Sequence, residues 1–212
     1  ALKAGRVRHI GASGHGLEVA IKMVDSGLLE TIQFPFNFVN NEAADELISL
    51  AKKNDVGFIA MKPFAGGRLK DVDLAIKYLL QFDNVVPDPG IKKAQEIEEI
   101  VRIADESAGL TQRDERRIEE IRAVLGTPFC QWCGYCQPCQ QEVDIPWLMN
   151  ARSYDNYGES FKRNVARAME TAKNCAQCGE CEKRCPYALT IRETIAENIK
   201  YYNEVSGHDS KL

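Results

Sequence analysis

The sequence predicts an α/β module followed by a mostly α-helical one, and three observations carry that expectation. Short β-branched or aromatic runs alternate with helix-like segments over the first 110 residues. All eight cysteines fall between Cys130 and Cys185, and none lies in the preceding 129 residues. No strand-like run follows the charged helix that begins near Thr111.

The strand-like runs are residues 7–10, 31–34, 57–61 and 84–86, each followed by a helical pattern. The first helix covers 17–24 and stops at Gly27, a residue suited to a C-terminal cap. The second covers 43–53 behind Asn40 and Asn41, both N-cap formers. The third and fourth cover 73–82 and 94–104. Strand-helix alternation of this kind implies parallel strands joined by crossovers. Thr111 with Asp114 then forms a capping box opening a helix that runs to Leu125 and stops at Gly126-Thr127-Pro128. Residues 146–151 and 159–171 read as helices. Thr190 with Glu193 forms a second box for a helix reaching about residue 205, and 206–212 is expected to fray.

A chain of 212 residues, 44% hydrophobic and 27% charged, is long enough for one or two cores. Its net charge of -4 and scattered Lys and Arg argue against a nucleic-acid footprint. No apolar run nears the roughly 20 residues needed to cross a bilayer, and no secretory signal is visible, so a reducing cytoplasm is the expected home. Residues 1–8 read like mid-domain sequence.

The chemistry resides in the cysteines. Cys175-Ala-Gln-Cys178-Gly-Glu-Cys181-Glu-Lys-Arg-Cys185-Pro186 has the C-x2-C-x2-C-x3-C-P spacing of bacterial [4Fe-4S] ferredoxins, whose fourth cysteine ligates the other cluster. Three thiolates at three-residue intervals on a tight loop can cap three corners of one cuboidal cluster. Cys130-Gln-Trp-Cys133-Gly-Tyr-Cys136-Gln-Pro-Cys139 is one residue shorter before its last cysteine and lacks the following proline. The expected assignment crosses over: Cys130, Cys133, Cys136 and Cys185 on one cluster, Cys175, Cys178, Cys181 and Cys139 on the other. Zinc prefers paired C-x2-C units closing one tetrahedral site, and disulfides need an oxidising compartment, so both fit less well. Gly134 and Gly179 suit loops that turn backbone N–H groups toward inorganic sulfur. Trp147, Tyr154, Tyr157 and Phe161, between the runs, are expected to form a small helical core.

Gly5-Arg6-Val7-Arg8-His9-Ile10-Gly11-Ala12-Ser13-Gly14-His15, Gln33-Phe34-Pro35-Phe36-Asn37 and Lys62-Pro63-Phe64-Ala65-Gly66-Gly67-Arg68-Leu69 resemble, in that order, the second half of an aldo/keto reductase barrel. With the two cluster motifs, the chain resembles the branch of that family carrying a C-terminal ferredoxin-like domain. The resemblance implies four βα units of a (β/α)8 TIM-type barrel over 1–110, a connecting helix over 111–128, a two-cluster domain over 129–205 and a tail over 206–212. It further implies NADPH at the C-terminal strand ends. Ser13 and Gln33 match positions that bond the nicotinamide carboxamide, Met61 the position packing on its ring, and Lys62 through Arg68, including Gly66, the pyrophosphate loop. Lys92 and Lys93 would meet a 2′-phosphate at a helix N-terminus, although Ile100 stands where the family has Asn. Read by themselves, Gln33 is a polar residue in an apolar strand that needs a partner, His15 fits an exposed loop as well as a substrate site, and Asn37 fits a turn cap.

A closed barrel needs eight strands, and four are present. That count favours a piece of a longer polypeptide over a half-barrel completed by a second chain. The family's catalytic Asp, Tyr, Lys and His belong to the absent strands, so no catalytic residue is assigned. The function implied is an iron-sulfur oxidoreductase acting with a redox partner or on a carbonyl or alcohol substrate. Hydride chemistry moves electron pairs and clusters move single electrons, so the two halves require an intermediary. The competing expectation is an electron-transfer module without chemistry of its own.

Overall fold

The computed structural model describes residues 1–106, 109–125, 129–156 and 158–206, with backbone alone for 154–156. The expected stop at Gly126-Thr127-Pro128, the Tyr154 and Tyr157 side chains and the tail beyond Ser206 therefore lie outside the described residues. The chain forms two units, Ala1–Thr127 and Pro128–Leu212.

In the first unit, β1 (Gly11–Ser13), β2 (Thr31–Pro35), β3 (Gly57–Met61) and β4 (Val85–Asp88) pair in parallel, in chain order. That sequential order belongs to a TIM-type barrel, here as its second half, and not to a doubly wound sheet, whose order reverses midway. Helices α1 (Leu17–Asp25), α2 (Leu47–Lys53), α3 (Val72–Leu79) and α4 (Ala94–Glu106) follow the strands in turn. The strands alternate sharply. Ile32, Phe34, Phe58 and Ala60 are fully buried, whereas their neighbours Gln33, Ile59 and Met61 are only partly so and Val86 is 63% exposed. Phe36, Tyr78 and Phe82 extend the buried layer through mutual edge-on and tilted ring contacts 5.1–5.9 Å apart.

The expected elements shift in two places. The first strand covers Gly11–Ser13, not 7–10, because pairing begins only where Gly11 meets Thr31. A Cβ at Gly11 would lie 2.1 Å from the Thr31 hydroxyl oxygen, so glycine permits that approach. The second helix is preceded by a separate 3-10 turn, Glu42–Ala44, and the Asn41 side chain bonds Tyr78 instead of capping it. At α3 a proper cap forms, with Asp71 accepting from the Leu74 N–H at 3.1 Å. The charged helix α5 (Gln112–Leu125) opens on the expected box: Asp114 accepts from the Thr111 N–H at 2.9 Å, and Thr111 Oγ1 from the Asp114 N–H at 3.2 Å. It packs within the first unit through buried Ile118 and through Arg122, which donates to the Phe38 carbonyl.

The second unit is helical: α6 (Ile145–Met149), α7 (Glu159–Ala172), α8 (Glu180–Lys183) and α9 (Ile191–Ser206). Leu148, Val165 and Ala168 are fully buried at its centre, with Ile145, Met169 and Ile191 around them. Trp132, Trp147 and Phe161 pack edge-on against one another at the margin, so Trp147 and Phe161 join the core as expected. The start of α9 is capped from outside, because Glu182 of α8 accepts the Arg192 N–H at 3.0 Å.

Candidate functional site

The two cysteine loops share one backbone. Trp132 and Gly134 in the first take φ of 55° and 77°, and Gln177 and Gly179, at the equivalent positions of the second, take 56° and 76°. Left-handed residues at these two steps curl each loop so that its cysteines face inward. Beyond the third cysteine the loops part. The first turns through a cis Gln137-Pro138 peptide, with the Gln137 side chain bonding the Val143 carbonyl at 2.8 Å and receiving the Cys139 N–H at 2.7 Å. The second is already in α8 at Cys181 and leaves that helix at Arg184 to reach Cys185.

These exits bring the fourth cysteines to opposite loops. Cys139, Cys175, Cys178 and Cys181 line one cavity of about 370 Å³, together with Arg184 and Arg192. At the other loop, burial pushes the Cys130 thiol above its ordinary range, with nearby Cys133 and Cys185 adding to the shift. The Asn150 side chain and the Trp132 N–H bond Cys130 and work the other way. Cys136, pushed up to about 12 chiefly by burial, also feels Cys130 and Cys133, and more weakly Cys181. Burial raises Cys181 too, with Cys175 close by. Four thiols around a cavity, on loops of matched curvature, suit a group larger than one ion, and the donor set fits [4Fe-4S] ligation.

Several supporting residues were not legible in the motifs. Arg192 of α9 donates to the Gln177 carbonyl at 3.0 Å and to Glu182 at 2.7 Å, pinning the second loop. Arg184 donates to the carbonyls of Cys136 at 2.8 Å and Pro138 at 3.2 Å in the first loop. The one available signal was its position, an arginine inside a run of anionic ligands.

In the first unit, Ser13 ends β1, Gln33 is the middle residue of β2 and Met61 ends β3, all on one sheet face. Ser13 is in register with Gln33, and Met61 follows two residues after Ile59, the register partner of Gln33. Gln33 finds its partner in Asp88, to which its amide donates at 2.7 Å. Asp88 was missed by the sequence reading, since an acid in Pro-Asp-Pro reads as turn chemistry. Asn37 is fully buried and caps its turn, its Oδ1 accepting from Val39 and Asn40 N–H at 2.9 and 2.8 Å while its amide donates to the Lys62 carbonyl at 3.0 Å. The loop it holds carries left-handed Lys62, Ala65, Gly66 and Gly67. His15 is half-buried, and burial followed by the nearby Lys62 charge lowers it to about 4, so its imidazole is neutral at pH 7. Lys92 and Lys93 are exposed, but their N–H groups point to Glu96, whose carboxylate accepts at 2.7 and 3.4 Å.

Fold and site thus define a parallel half-barrel joined to a helical cysteine-ligand module. Residues 1–74 match the model of the aldo/keto reductase family, and residues 129–190 match that of a 4Fe-4S dicluster domain. The two matches together support iron-sulfur oxidoreductase character. No curated protein matches the chain. Among the described residues, no helix is long and apolar enough to cross a membrane.

Proposed function

We propose that this chain is the electron-transferring portion of a cytoplasmic iron-sulfur oxidoreductase of aldo/keto reductase type, holding two [4Fe-4S] clusters. Cys130, Cys133, Cys136 and Cys185 would ligate one, and Cys175, Cys178, Cys181 and Cys139 the other. The observation that carries this reading is the cavity shared by Cys139 and the second loop, since it joins residues from both runs. When bound, such clusters exchange single electrons at potentials set by charge, hydrogen bonding and exposure. The chain's own part is to bury Cys136, to half-bury Cys130, to leave Cys178 at the surface and to fix both loops through Gln137, Arg184 and Arg192. A soluble redox partner would approach from the exposed side, where Cys178 lies.

Anaerobic iron and acid-labile sulfide analysis with the visible spectrum before and after dithionite tests this. About eight irons per chain, bleaching on reduction, is expected. About four would mean that one site does not form, and zinc in place of iron would overturn the reading.

A second reading, an electron-transfer module without nicotinamide chemistry, is favoured by two contacts. Gln33 already spends its amide on Asp88, and Glu96 already occupies the helix terminus that would take a 2′-phosphate. If NADPH does bind at Ser13, Gln33, Met61, Lys62, Gly66 and Lys92, it competes with both contacts. Fluorescence titration of the full-length protein with NADPH separates the readings: saturable binding weakened by Gln33→Ala supports the reductase, and none supports the module.

A further inference from the structure

We propose that Arg184 is the positioning residue that completes the second cluster site, an inference that rests on the crossed cluster assignment above. Cys139 belongs to the first run but lines the cavity of Cys175, Cys178 and Cys181. Something must therefore hold the turn carrying Cys139 against the segment carrying Cys181. Arg184 does so with a single guanidinium. Its Nη2 donates to the Cys136 and Pro138 carbonyls, on either side of Gln137, at 2.8 and 3.2 Å. Its Nε donates to the Glu180 carbonyl at 3.2 Å, anchoring the side chain to its own helix. A planar fork can span these acceptors; an ammonium cannot reach both ends at once.

The same geometry decides the local charge. Arg192, the other cation at the cavity, is paired with Glu182 at 2.7 Å. The Arg184 bonds above all go to carbonyls; among the described residues it makes no direct ion pair, although the Glu180 carboxylate at the same cavity feels its charge. The guanidinium faces four thiols that become thiolates on ligation, and a cation there stabilises the site most in its more negative, reduced state. Arg184 therefore places the fourth ligand and adds a positive charge that favours the reduced state of the site.

Arg184→Met and Arg184→Lys, made in the full chain and reconstituted anaerobically, test this against wild type. Wild type must first hold about eight irons, since a lower content refutes the crossed two-cluster reading itself. Given that content, Arg184→Met is expected to lose about half of the iron, the retained cluster being the one on Cys130, Cys133, Cys136 and Cys185. Arg184→Lys keeps the charge but not the fork; it is expected to hold both clusters at near wild-type potentials and to release one of them to a chelator several-fold faster. Arg184→Met with full iron, wild-type release and two unchanged potentials would overturn the proposal. Should the methionine variant lose its helical circular dichroism, the lysine variant decides alone: wild-type release kinetics from it would refute the clamp.

Discussion

The two cysteine loops curl identically and leave differently. Up to the third cysteine both follow the same pattern of left-handed residues, 132 and 134 against 177 and 179. After it, one runs through Pro138 to Cys139 in three residues, and the other takes α8 to reach Cys185 in four. Spacing within the loop is thus fixed by the geometry of the ligands, whereas spacing after it is set by whatever structure carries the fourth cysteine across. The departure of the first run from C-x3-C-P is a change of carrier, with Gln137 and Arg184 doing for the turn what helix hydrogen bonds do for α8.

The sharpest way to break that comparison is to remove fourth cysteines. Cys139→Ser and Cys185→Ser are each expected to cut the iron content from about eight to about four per chain. Pairing the losses reads the crossing directly. Cys139→Ser combined with Cys175→Ser strikes one site under the crossed assignment and leaves about four irons, but strikes both if each run holds its own cluster and leaves almost none. Iron analysis of the double variant decides between them.

Legibility in the sequence divides along the same line. The ligand triplets and the Thr111-Asp114 box were readable because their chemistry lies within a few residues, and β2 and β3 because their β-branched and aromatic runs mark them. Arg184, Arg192 and Asp88 were not, because their roles depend on contacts across 15 to 55 residues. The first strand was misplaced for a similar reason: residues 7–10 have the composition of a strand, but pairing starts where Gly11 can approach Thr31. Glu182 adds a bond to the start of α9, again through a contact between separate helices.

Each unit buries one asparagine that bonds backbone distant in sequence, and this allows the two to be compared energetically. Asn37 makes three backbone bonds, one of them to distant Lys62, whereas Asn198 donates to the Leu148 carbonyl at 2.8 Å and accepts from Arg152 at 3.0 Å. Asn37→Ala strands two N–H groups and a carbonyl at a fully buried position and is expected to cost about 2–3 kcal/mol; Asn198→Ala should cost about 1–2 kcal/mol. Both tryptophans, Trp132 and Trp147, belong to the second unit, so their fluorescence reports that unit alone while far-ultraviolet circular dichroism reports both. Asn198→Ala should move the fluorescence midpoint in urea, and Asn37→Ala only the dichroism.

The likeness of the loops themselves is tested by Gly134→Ala and Gly179→Ala. Left-handed φ costs a residue with a Cβ about 1 kcal/mol, so both should destabilise by about that much in the apo chain. Surroundings differ little, since an added Cβ meets nothing within 4 Å at Gly134 and only the Arg192 guanidinium, at 3.6 Å, at Gly179. A markedly larger loss at Gly179 would mean that Arg192 holds its loop more tightly than the matching backbone angles imply.

The smallest expected effect belongs to the first unit and concerns acid. His15 titrates at about 4 in the folded chain against 6.5 when free, because burial and then Lys62 oppose its charge. The unfolded chain therefore binds a proton that the folded chain refuses between these values, so stability from this group is fully present above pH 6.5 and declines as the pH falls toward 4. Half-exposure and the screening that comes with it keep the contribution modest. His15→Gln is expected to flatten the fall in the dichroism midpoint between pH 7 and pH 5 and to leave the tryptophan midpoint unmoved. An unchanged pH dependence in that variant would place the acid sensitivity of the first unit on other groups.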